Sequence, residues 1–441
     1  MNYLALVAVL FIILWTLNYF LGRKKLFMNP TKHLYISDVC KARDILSSSN
    51  LDSRVRSNQN LRLTFGISNP FTNSHSSYHC DFRKLIVKSI DLNDEGWDRI
   101  KNIALKAVNN YSNLEKGGIV EIVPWVQQIT LNVVLCGYLG MDVNVDKVIK
   151  VAPGIINDLW YRSKGLNRVM MENNEKFISI METKSKLQNL FRNVASDAGE
   201  THNVIKKISE IARKHFPTEF SSVTTNNSLA DELETPLNIL IPAYETMWRV
   251  VLYAILEIKV RPLLNKDYGI TELDLKEIDN AVKTFLKKPN HSTLKKDSFI
   301  LWCIIQETLR LYPPTRNIHR VDDKNNTVTI EVEKIHRDPE NWGEDATFFK
   351  PKRFLSNKMN KAHIPFSHGK LKCVAADKFA PTFSAILISA ILDRVDDVIL
   401  GQKTKESLSL KANLPFENNR YAFDNIEVTL IKKSRKKENL L

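Results

Sequence analysis

The stretch Ile335–Phe354, IHRDPENWGEDATFFKPKRF, decides how this chain is read. It is polar and rich in turn residues, with Asp338–Pro339, Gly343 and Pro351 interrupting any helical or strand period. Within it, residues 338–354 are therefore expected as a coil lying between regular elements. What flanks it gives the coil its meaning. Upstream, QETLRLYPP (306–314) places Glu307 and Arg310 three apart on a helix that stops at Pro313–Pro314, so the two side chains share one face. On spacing alone such a pair is ordinarily a surface contact contributing about 0.2–0.5 kcal/mol. The alternative is a buried, bidentate pair that also holds a third group from a coil.

Downstream, PFSHGKLKCVA (365–375) sets Cys373 behind a phenylalanine, a glycine and two lysines, with Lys378 following. A free cysteine is most often a small buried hydrophobe. Lysines around it lower a thiol's pKa and favour the thiolate that a metal requires. Two earlier segments also place chemistry at helical spacing. In ILIPAYETMWRVV (239–251) the acid Glu245 and the hydroxyl of Thr246 stand side by side in an apolar stretch. A carboxylate buried there needs a partner or a proton-transfer task, and Pro242 opens the helix nearby; on an exposed face Glu245 needs neither. In YHCDFRKLIVKSI (78–90), His79 and Arg83 lie four apart on one face. They suit a carboxylate or phosphate, or else form a solvated basic face.

The 441 residues are 44% hydrophobic and 25% charged, ordinary values for a globular protein with ample core. The net charge of +14 is spread along the chain and favours an anionic membrane surface or an acidic protein partner. Zinc-finger spacings and RNA-binding signatures are absent from the sequence, so no nucleic acid is expected. Five cysteines, scattered and without CxxC pairs, read as reduced thiols facing the cytosol. Residues Asn2–Leu21 carry no charge and are followed at once by Arg23, Lys24 and Lys25. That pattern predicts a single membrane-spanning helix over residues 1–25 with the remainder, 26–441, in the cytosol. A cleaved signal peptide is the rival, but no charged region precedes the apolar run.

Three- and four-residue apolar spacing predicts helices over Ile119–Leu139, Pro236–Ile258, Lys295–Leu311 and Phe379–Leu392. Alternation predicts short strands at Thr327–Val332 and Asn425–Ile431. The expected class is mainly α, with small marginal sheets and one N-terminal transmembrane helix.

The order along the chain is acid–alcohol helix, ExxR helix, WGEDATFFKPKRF coil and FSHGKLKC loop. This series resembles the cytochrome P-450 family of haem-thiolate monooxygenases. HLYISDVCKARDIL (33–46) and IVPWVQQITLNVVLCGYLGMD (122–142) look like the family's earlier helices, and PAYETMWRVV resembles microsomal enzymes of fungal secondary metabolism. The resemblance implies haem b with Cys373 as the axial thiolate on iron. It also implies Phe366 beside the sulfur and Gly369 allowing the loop to approach the haem. Glu307, Arg310 and Arg353 would form a structural triad, and Glu245 and Thr246 would relay protons. His79, Arg83 and Arg320 would meet the propionates, with Arg316 as a lesser choice.

Further implications are an NADPH-dependent reductase partner, an apolar organic substrate, and a place in the endoplasmic reticulum membrane with the catalytic domain cytosolic. Pocket residues are expected from about Asn58–Tyr78, from near 150–175 and from the helix before Glu245. The sequence departs from the family at Leu371, where an arginine is usual, at Ala375 for glycine, and at Met247 for a second alcohol. The region after the anchor and the stretch from Arg320 to His336 are both short for the family. Two other classes stay open: a catalytically inactive homologue that binds haem or a partner, and a cofactor-free membrane-anchored scaffold.

Overall fold

Residues 32–114, 117–141, 145–163, 174–196, 203–221, 229–265, 269–356 and 360–433 are described by a computed structural model. The expected anchor, Asn2–Leu21 with Arg23–Lys25, lies outside them, as does part of the expected pocket segment after Ser163. The helices that position the site are α1 (Val39–Ser47), α2 (Leu51–Ser57), α3 (Ser76–Ser89) and α4 (Asp94–Tyr111). They continue with α5 (Ile122–Asn132), α6 (Val145–Arg162), α7 (Leu237–Ile255), α8 (Glu272–Lys287), α9 (Phe299–Leu311) and α10 (Phe379–Arg394). The class is mainly helical with small sheets, as the periodicity predicts.

At the centre, α10 is apolar on all sides and buried at nearly every position from Phe379 to Leu392. It packs on α4, α7 and α8, while α7 also packs on α5 and α9. A helix buried all round has no polar face to orient it, so neighbours on every side fix it. The continuous helix Leu237–Leu264, which begins with α7, is the one described helix long and apolar enough to cross a membrane, and most of its apolar stretch is buried inside the protein. It is a core helix.

The two sheets are small. In the first, β1 (His33–Ile36) pairs in parallel with β4 (Thr327–Ile330), which pairs antiparallel with β3 (Ile318–Val321). In the second, β6 (Glu427–Lys432) lies between β2 (Ile119–Glu121) and β5 (Val395–Leu400), antiparallel to both.

Local chemistry moves several expected boundaries. The run Ile119–Leu139 opens as strand β2, because its edge pairs with β6 before Pro124 enters the first turn of α5. It then leaves α5 as a π-helical turn over Val133–Tyr138. The run Lys295–Leu311 is two helices. Asn290 caps His291–Lys296, and α9 begins afresh after Ser298. Strand β4 ends at Ile330, and Val332 begins the short helix Val332–His336.

Candidate functional site

Helix α9 buries Glu307 and Arg310 completely, so the bidentate alternative describes this pair. Arg310 Nε donates to Glu307 Oε2 at 2.7 Å, and Nη2 donates to Oε1 at 2.8 Å. The guanidinium's other donors reach the carbonyls of His336, Ala346 and Phe348 in the coil. All five N–H groups are thus satisfied, which is what makes a buried arginine tolerable. Glu307 Oε1 also accepts from the Lys350 backbone N–H at 2.7 Å, and Arg353 Nε lies 3.5 Å from it. Arg353 itself is held by Asp345 Oδ1 at 2.9 Å and by the Trp342 carbonyl. The structure therefore brings Glu307, Arg310 and Arg353 together and uses them to freeze the coil.

The freeze extends to the cysteine loop through a residue that sequence reasoning missed. His336 is fully buried, donates from Nδ1 to the Arg310 carbonyl at 3.0 Å, and accepts at Nε2 from the Ile364 N–H at 3.0 Å. Beyond Ile364 the chain doubles back, and the Cys373 N–H donates to the Phe366 carbonyl at 3.0 Å, so Phe366 and Cys373 face each other across the turn.

Gly369 sits at φ +72°, and a Cβ there would stand 2.6 Å from Ser47 Cα and 2.9 Å from the Leu46 carbonyl. The close approach it permits in this structure is to the end of α1. Cys373 remains solvent-accessible although densely surrounded. Burial pushes its thiol pKa up, opposed by the Ala375 N–H and by Arg54, Arg83 and Lys372. Lys372 acts in the direction the sequence expectation gave to the loop lysines, but burial outweighs it and the net direction is upward. Lys370 and Lys378 stand exposed, and Lys372 is engaged by Asp377 at 2.6 Å.

Four basic side chains from three elements gather near the thiol. His79 and Arg83 come from α3, Arg320 from β3, and Arg54 from α2. Arg54 was missed because LDSRVRS reads as a solvated basic helix. Arg54 and Arg320 are buried, at 7% exposure each. Burial lowers the pKa of both to about 10. Burial, Arg54 and Arg83 lower that of His79 to about 4. Arg83 Nη1 donates to the Lys372 carbonyl at 3.2 Å, tying α3 to the cysteine loop. Among the described residues no ion pair joins Arg54, Arg83 or Arg320 to a carboxylate. Arg316 lies elsewhere, paired on the surface with Glu333 at 2.6 Å.

Glu245 and Thr246 diverge, as neighbours on a helix must. Thr246 is exposed, and its hydroxyl turns back to the Pro242 carbonyl at 3.3 Å. Glu245 is buried and accepts at Oε2 from Arg420, while its Oε1 has no partner among the described residues. Arg420 also donates to Asn157 on α6 at 2.9 Å and lies over the rings of Trp160 and Trp248. Its partner was illegible in sequence because the two residues are 175 positions apart.

The cytochrome P-450 family model matches residues 25–394, and the chain belongs to that family. Similar proteins include a cytochrome P-450 of Drosophila melanogaster, 33% identical over 129 residues, which are 26% of this chain and 25% of that protein. The echinocystic acid 23-monooxygenase of Saponaria officinalis is 34% identical over 112 residues, covering 22% of this chain and 21% of its own. A cytochrome P-450 of the yeast Debaryomyces hansenii is 27% identical over 194 residues, covering 39% and 36%. These matches span between about a fifth and a third of the relatives' lengths.

The family implies haem with a thiolate on its iron, and the donor set fits that group. An accessible cysteine stands beside buried arginines that have no carboxylate partner among the described residues, and haem carries two carboxylates.

Proposed function

We propose that the chain is a haem-thiolate monooxygenase that inserts one atom of dioxygen into an apolar organic substrate. The observation carrying this reading is the solvent-accessible Cys373 beside the buried cations Arg54 and Arg320, which no carboxylate pairs among the described residues. Haem b, when bound, supplies the reductive activation of dioxygen. The chain's own residues do the rest. Cys373 is the thiolate ligand, and the three arginines with His79 receive the carboxylates. Glu307, Arg310, Arg353 and His336 hold the loop so that the sulfur does not move.

Glu245, with one oxygen held by Arg420 and the other buried without a partner among the described residues, is the acid that would accept and release a proton, while the Thr246 hydroxyl faces away from it. Asn157 and Trp160 of α6, within one of the expected pocket segments, meet Glu245 and Trp248 of α7 around Arg420. Residues 1–25 anchor the chain in the endoplasmic reticulum membrane, and residues 26–441 form the cytosolic haem domain. The positive surface meets an acidic NADPH-dependent reductase. The substrate belongs to fungal secondary metabolism.

The test is isotope-labelled dioxygen supplied to the full chain with a flavoprotein reductase, NADPH and a panel of apolar probes. The account expects one labelled oxygen atom per product molecule. Haem binding with NADPH consumed only to water and peroxide across the panel would favour the inactive homologue.

A further inference from the structure

The second sheet turns one face to solvent, and its register fixes which side chains stand there. Ile119 of β2 lies opposite Thr429 of the central strand β6, and Thr429 lies opposite Ile399 of β5. Two residues further along β6, Ile431 lies opposite Asp397. In the other direction, Glu427 lies opposite Glu121. Alternate positions on a strand share a face, and the intervening Val120, Val398, Val428 and Leu430 are buried. On the outer face Ile119, Ile399 and Ile431 are 60%, 54% and 38% exposed. The register shift between Val395 and Asp397 brings Asp397 to this face beside Ile431.

Every charged strand residue on this face is an acid, on a chain whose net charge is +14. Among the described residues no ion pair engages Glu121, Glu427 or Asp397. Lys433, just past β6, is held by Asp279, and Lys259, whose charge reaches Asp397, donates to the Asp396 carbonyl. Like charges directly opposite each other destabilise a sheet, so the Glu121–Glu427 pair costs the free protein stability. Acids on edge strands discourage edge-to-edge pairing, which accounts for Asp397 on β5 but not for Glu427 on the central strand. An exposed apolar row bounded by acids fits a cationic amphipathic surface and excludes an anionic lipid surface or an acidic protein. Its width fits one helix: from Ile119 to Ile399 is two strand spacings, about 10 Å, and a helix is about 10–12 Å across. We propose that this face is the docking surface for a basic amphipathic helix of a partner protein, separate from the surface assigned above to the reductase.

The probes are a labelled leucine–lysine amphipathic peptide of about 14 residues, long enough as a helix to cover the face, and its leucine–glutamate counterpart. Each is titrated against the full chain in nanodiscs of zwitterionic lipid, with empty nanodiscs as the blank. The wild type should bind the lysine peptide and not the glutamate peptide, and Glu427→Lys should weaken that binding roughly 10-fold or more. Glu427→Gln removes the repulsion without adding a charge. Its urea midpoint should therefore rise while its affinity for the lysine peptide falls, and it stands in if Glu427→Lys does not fold. Equal lysine-peptide binding by wild type and variants, or none by the wild type, would overturn the proposal. A lower urea midpoint in Glu427→Gln would make the carboxylate part of the fold and overturn it too. Two further outcomes would give the face another occupant and so contradict it. One is a concentration-dependent wild-type dimer that Glu427→Gln abolishes; the other is peptide binding that emerges only once residues 434–441 are removed.

Discussion

At the scale of single residues, the buried histidines behind the cysteine loop show how packing turns sequence into chemistry. His336 is neutral by construction, donating from one nitrogen and accepting at the other. His363 stacks on it with ring centroids 5.5 Å apart and meets the Gln306 carbonyl at 3.2 Å. Burial holds both below the ordinary imidazole range, His363 at about 3, with the Arg310 charge acting on each in the same direction.

Below the unfolded pKa of about 6.5 the unfolded chain binds protons that the folded chain refuses. Stability is therefore full above that pH and falls as pH drops toward the folded values. Each such histidine contributes a slope of about 1.4 kcal/mol per pH unit. Chemical unfolding of the wild type and of His363→Gln between about pH 4 and 6 should show the variant's slope smaller by that amount. Equal slopes would mean that His363 is protonated in the folded state.

Residue types decided what was legible at this scale. Glu307, Arg310, Arg353 and Cys373 stand out by spacing and order. His336, His363 and Arg54 carry no spacing signal, since only tertiary burial makes them matter.

At the scale of elements, the sequence read the long apolar helices well and their joints poorly. Periodicity sees the apolar face of Ile119–Leu139 but not the partner strand β6, some 300 residues on, that turns its first three residues into β2. A cap such as Asn290 outweighs continuous periodicity, because it satisfies helix-end N–H groups and starts a separate helix. The same limit hid the latch between the segment carrying Arg420, α6 and α7. Arg420 and Glu245 are an ion pair whose side chains are 13% and 8% exposed.

Removing one partner of a buried pair leaves an uncompensated charge and costs about 3–5 kcal/mol, whereas removing both costs less. Urea unfolding of Arg420→Gln, Glu245→Gln and the double variant should give a coupling of about 0.5–3 kcal/mol, with the double variant more stable than the two single losses predict. Additive losses would show that the two side chains do not share their stabilisation.

At the scale of the molecule, the arrangement is a relay of rigidity from α9 through the coil to Cys373, with basic groups from α2, α3 and β3 arrayed near the sulfur. The mainly helical class and the family were legible because the motifs keep their order along the chain. The electrostatic rim was not, because its members come from positions 54, 79, 83 and 320 and meet only in the fold. The central claim is that Cys373 is the iron ligand. The most direct test is the absorption spectrum of the purified, reduced, carbon monoxide-bound chain beside that of Cys373→Ala. The account predicts the long-wavelength Soret band of thiolate ligation in the wild type and its loss in the variant. A wild type without haem, or a Soret band at the same position in both proteins, would contradict it.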